Sequence, residues 1–145
     1  MSHWFHILAG SGLDARLLHA ARLAEKAWLD DDRVALYCDD ADTAQALDDT
    51  LWSFRPDAFL PHDHIRTSDQ QPETRVTVLE CEPTPAEWGT LIVVASGLPA
   101  TADGFTRLAL IASNDDDSLE RARNQYRQLR ELGIKPQVHD FRSST

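Results

Sequence analysis

Lysine is nearly missing from this chain: Lys26 and Lys135 stand against twelve arginines. With 24 acidic side chains the formal net charge is −10. Such a field repels polyanions, so strong direct nucleic-acid binding over a broad surface is not expected. Cysteine is scarce as well. Cys38 and Cys81 lie far apart in apolar surroundings, too few for a disulfide scaffold and suited to a reducing, cytoplasmic setting. No apolar run approaches the roughly 18 residues of a membrane span. The first residues, MSHWFHILAGSG, lack a basic leader, so neither a signal peptide nor a membrane association is expected. Glycine is short where a phosphate loop needs it. Gly10-Ser11-Gly12 follows a strand-like run, but no Gly-Lys-Ser/Thr is present, the third glycine of a dinucleotide turn is absent, and Asp14 would repel phosphate. A plain strand-to-helix turn accounts for it.

What is present is ordinary globular material: 145 residues, 42% hydrophobic and 26% charged, enough for one domain spanning 1–145 around one core. Strand-like runs are His3–Leu8, Arg33–Cys38, Arg75–Leu79, Thr90–Ala95, Arg107–Ala112 and Pro136–Phe141. Helical spacing of apolar residues predicts helices from a cap at Asp14 to Leu29, from Asp39–Asp42 to before Pro56, and over Ser118–Leu132 with Gly133 as the closing residue. Residues 66–74 read as a loop and 97–105 as a loop or short helical turn. The Asp30-Asp31-Asp32 triplet reads as a solvated loop. Strands alternating with helices, several as uninterrupted apolar runs, predict a three-layer α/β fold: a mostly parallel central sheet flanked by helices, nucleotide-binding-like but without a phosphate loop.

Chemistry-bearing groups are sparse. His62-Asp63-His64, with His3 and His6 elsewhere, offers possible metal ligands, but adjacent positions rarely converge on one ion. Solvated loop histidines are the simpler reading. Asp39-Asp40 and Asp48-Asp49 could in principle hold Mg²⁺, and a Mg²⁺-dependent hydrolase or nucleotide-binding enzyme using Asp39, Asp40 and the glycine turn is the alternative carried forward. No serine has a nucleophile elbow around it. No catalytic residue, metal or cofactor is expected.

Two stretches stand out. From Ser118 to Lys135 five basic residues face two acidic ones, a local +3 in a chain whose remainder carries −13. On a helical wheel Arg123, Arg127 and Arg130 fall within about 60°, with Tyr126 and Leu119 beside them. This is either a solvated face or a surface for a short acidic peptide with a bulky apolar end. The second stretch is LDDTLWSFRPDAFLPH over residues 47–62. Trp52, Phe59 and Leu60 there are either core or part of a partner surface.

Together these stretches resemble the chi subunit family of the bacterial DNA polymerase III clamp-loader assembly. The resemblance rests on Arg33-Val34, Cys38-Asp39-Asp40, Leu47-Asp48-Asp49-Thr50-Leu51-Trp52 and Phe59-Leu60-Pro61-His62, in that order. Ser118-Leu119, Arg123, Tyr126-Arg127 and Gly133 extend it. It implies a non-catalytic accessory subunit with two partners: the psi subunit of the clamp loader, and the acidic C-terminal tail of single-stranded DNA-binding protein, which ends in Pro-Phe. By position Arg123, Tyr126 and Arg127 would bind the tail, Arg127 standing where a lysine is common. Leu119 and Arg130 join them from the wheel. Trp52, Phe59, Leu60, Pro61 and His62 would form or support the psi face.

Overall fold

A computed structural model of the chain describes all residues except Met1, Pro56, Ala58, Phe59 and 143–145. Its centre is one parallel sheet of seven strands: β1 (Ser2–Ile7), β2 (Val34–Tyr37), β3 (Asp63–Ile65), β4 (Val76–Leu79), β5 (Thr90–Val93), β6 (Arg107–Ala112) and β7 (Gln137–Asp140). The spatial order is β3-β4-β2-β5-β6-β1-β7. The inner strands VALY, VTVL, TLIV and LALIA are apolar without alternation because both sheet faces are covered.

Helices α1 (Gly12–Leu29) and α2 (Ala41–Ser53) cover one face, and α3 (Asp116–Glu131) the other. The first interior layer holds Leu17, Ala21, Ala24, Leu47 and Leu51 against Val34, Leu36 and Val78. On the second face α3 is helped by connecting segments that contribute Trp88 and Phe105, the latter around a 3₁₀ turn at Ala102–Gly104.

Several local expectations change. Asp14 does not cap α1. Ser11, in extended geometry, takes the N-cap position without a side-chain bond, and Asp14 sits inside the first turn. The Asp30–Asp32 triplet is not simply solvated: Asp32 accepts from the Arg33 amide and the Thr90 hydroxyl and faces Arg107 at 3.4 Å, while Asp31 adopts φ 60° and meets Arg75 at 3.0 Å. Asp40, not a longer acidic turn, caps α2 through the Thr43 amide.

Residues 63–65, which carry the second half of the His-Asp-His sequence, form edge strand β3. Their side chains are tied down. His64 Nε2 lies 2.5 Å from Glu80 Oε2, and Asp63 accepts from the Glu73 and Thr74 amides. The reading of His62 and His64 as solvated loop residues is therefore overturned: pairing of β3 with β4 and the Glu80 carboxylate draw His64 inward, and the Asp48 carboxylate holds His62.

Candidate functional site

The C-terminal ends of parallel strands are where α/β folds of this type bind ligands, and here the protein's own carboxylates occupy them. Asp115 Oδ2 accepts from the Gly12 amide at 3.0 Å and the Ser113 hydroxyl at 2.6 Å, and Oδ1 accepts from the Ser118 amide. The Ser113 hydroxyl bond, then the Gly12 amide, hold this carboxyl below the usual aspartate range. The turn amide that a phosphate loop would offer to an anion is thus satisfied from within. Asp39 is likewise engaged by the Ser96 hydroxyl at 2.8 Å, and Asp40 by Thr43. The carboxylates of the Mg²⁺-enzyme alternative are acceptors for protein donors. Among the described residues no cluster of three His, Cys, Asp or Glu side chains is placed to hold a metal ion.

The α3 stripe is better formed. Asp115 caps the helix, Asp116 and Asp117 occupy its first turn and Arg130 its last, all favourable to the helix dipole. At the other end Gly133, at φ +85°, donates to Arg130 and Ile134 donates to Leu129, a Schellman closure that only a residue tolerant of positive φ makes cheaply. The apolar side buries Leu119, Ala122 and Leu129. The buried Gln125 side chain donates to the Ala95 carbonyl at 2.9 Å and fixes the helix rotation.

With that rotation set, Arg123, Arg127 and Arg130 are all exposed. Arg127 donates to Asn124 at 3.2 Å, and none of the three meets a carboxylate among the described residues. Tyr126 is half-buried with its ring 5.8 Å from Phe5. Leu119, expected on the rim, is only 7% exposed and belongs to the interior, in the same apolar cluster as Phe5, Ala122 and Leu129.

The structure adds a residue that the helical wheel could not. Val138 is the register partner of Phe5 and so emerges on the same sheet face, 48% exposed. Its only signal in the sequence is a valine in a short polar strand. Leu132, the C-cap of α3, is also exposed.

The second surface lies at the opposite sheet edge. Trp52, on the last turn of α2, is 53% exposed, and its ring sits 4.6 Å from that of His62. His62 is nearly sealed beneath it: Nδ1 lies 2.8 Å from the Leu60 carbonyl and Nε2 lies 2.8 Å from Asp48 Oδ1. This clasp holds the segment after α2 against the helix itself. Leu60 is core at 2% exposure, and Pro61 is half-buried. Phe59 lies outside the described residues. The stretch thus divides into a support, Leu60 and His62, and an exposed feature, Trp52.

The two surfaces cannot overlap. α3 packs on β6, whereas Trp52 belongs to α2, on the other face, and β3 is the far edge strand.

The family model for DNA polymerase III chi subunit, HolC, matches residues 1–137. The DNA polymerase III subunit chi of Pseudomonas aeruginosa is 33% identical over 135 residues, 93% of each chain. That of Haemophilus influenzae is 26% identical over 123 residues, 79% of each chain. With a parallel α/β sheet, no free phosphate turn and a family match over nearly its whole length, this chain belongs to the DNA polymerase III chi subunit family.

Proposed function

We propose that this chain is a non-catalytic coupler in the replicative DNA polymerase III holoenzyme, acting in the cytoplasm as one domain over residues 1–145 and without a cofactor. One partner is the psi subunit of the clamp loader, docked over Trp52 with Phe59 and Pro61, on a base held by Leu60 and His62. The other is the acidic C-terminal tail of single-stranded DNA-binding protein. The observation that carries this reading is the row of Arg123, Arg127 and Arg130, exposed and meeting no carboxylate among the described residues, next to Tyr126. Uncommitted guanidinium groups in an acidic protein favour carboxylates, which they bind in pairs of parallel hydrogen bonds. Tyr126 and Val138 supply apolar surface for a bulky terminal side chain, and Leu119 positions the helix from below. Separation of the two surfaces lets both partners bind at once.

The test is calorimetry with an acidic peptide ending in Pro-Phe and a free carboxylate. The Arg123→Ala/Arg127→Ala variant should fold normally and bind at least about tenfold more weakly, two charge-assisted contacts being lost. Unchanged affinity would remove the site from α3.

A further inference from the structure

Strand β7 ends one side of the sheet and pairs only with β1. One bond fixes which of its backbone groups face inward: the Phe141 amide donates to the Ile7 carbonyl at 2.8 Å. Backbone groups alternate sides along a strand, so those of Gln137 and His139 also face β1, and those of Val138 and Asp140 face outward. Among the described residues no protein group meets the outward amides. Pro136 has no N–H to add, so the open edge is short. Gln137, Val138 and Asp140 are all exposed, so no helix covers this strand.

The arginine row of α3 overhangs this edge. Gln125 reaches the Ala95 carbonyl beyond β5, and Tyr126 meets Phe5 on β1. The flank that follows Tyr126 around the helix carries Arg123, Arg127 and Arg130, and so lies towards β7, whose Val138 emerges on this same face. From Arg123 to Arg142 the chain carries five cations against two anions. Of the two, Asp140 is held by Arg142 through bonds of 2.7 and 3.0 Å, and Glu131 lies at the end of the helix. Asp116, Asp117 and Glu120 belong to the first turns of α3, before the row begins.

Spacing and charge select the occupant. Arg123 and Arg127 are four helical residues apart, roughly 6 Å of rise. Side chains two apart on an extended strand repeat every ~6.7 Å. A strand laid beside β7 thus presents alternate side chains to successive arginines. A second copy of the chain, pairing through β7, would instead set two basic flanks against each other.

We propose that β7 is a strand-addition edge: the acidic peptide of the coupling role joins the sheet as an eighth strand, its backbone bonded to Val138 and Asp140 and its acidic side chains, at alternate positions, paired with Arg123 and Arg127. This rests on the reading of α3 as the peptide site and adds how the peptide is held.

The experiment uses the full chain and the acidic peptide ending in Pro-Phe, with a single backbone N-methyl group placed in turn along its acidic stretch. Methylation of amides that face β7 should weaken binding about tenfold and methylation of their neighbours little, a period of two. Amide exchange followed by NMR should slow at least about tenfold at Val138 and Asp140 with saturating peptide, and change little at Gln137 and His139. A flat methylation scan, or exchange at Val138 and Asp140 unchanged by the peptide, would overturn strand addition. The α3 reading would survive either result, since Arg123→Ala/Arg127→Ala would still weaken a peptide lying on the helix alone. An alternating scan with affinity unchanged in that double variant would overturn the arginine pairing instead.

Discussion

At the scale of single residues, burial separates groups that look alike in the sequence. His6 lies among His19 and Lys26 on α1 and His139 on β7, with Phe141 closing over it. Burial first, then the neighbouring His19, His139 and Lys26, push its pKa from 6.5 down to about 4. The folded protein therefore refuses a proton that the unfolded chain accepts. His6 favours folding fully above about pH 6.5, and this contribution declines as pH falls towards 4, by at most about 3 kcal/mol. Urea midpoints measured between pH 7.5 and 4.5 should fall, and His6→Gln should flatten that fall.

Trp52 and Leu60 make a second pair. Leu60→Ala removes a buried side chain and should cost about 2–4 kcal/mol in denaturant unfolding. Trp52→Ala, at a half-exposed position, should cost about 1 kcal/mol or less while abolishing capture of the psi subunit. If the two variants were equally destabilised, Trp52 would be part of the fold's support and not a docking residue.

At the scale of elements, Asp115 joins three of them. It ends the connection from β6, caps α3 through the Ser118 amide and ties the first turn of α1 through the Gly12 amide. Asp115→Ala should cost about 1–2 kcal/mol, a cap plus an orphaned amide, readable as a lower thermal midpoint. This junction also explains why the helix boundaries shift from those the periodicity suggests. Asp14 and Ser118 looked like helix starts by residue type, but a cap is decided by which amide the side chain reaches. In α1 the carboxylate comes from Asp115, 103 positions away in the chain. Strands β5 and β6 were plain because apolar runs buried on two faces need no tertiary information to be recognised. Strand β3 was not, because Asp63–Ile65 and the preceding His62 carry no such pattern. Their partners Glu80 and Asp48 become visible only once β4 and α2 are in place.

At the scale of the whole molecule, an acidic body carries one exposed basic ridge. Binding of an acidic peptide to that ridge should weaken steadily as salt rises, since the contacts are exposed and screened over about 10 Å at 0.1 M. Calorimetry at increasing ionic strength reads this directly, and a flat response would mean that Tyr126 and Val138 carry the binding by apolar contact alone.

The chain's own order of residues determined the alternation of elements, the excess of arginine on one side of α3 and the lack of a phosphate loop. These are properties of periodicity, charge and local motif, all expressed within a turn or a strand. Tertiary structure decided which neighbours those residues meet. It sent Leu119 inward and left Arg123 and Arg127 outside, placed Val138 beside Phe5, buried His62 under Trp52, and closed the Gly12 turn with a distant carboxylate. The reason is that packing and hydrogen bonding across a sheet pair groups by position in space, and spacing along the chain does not record that position.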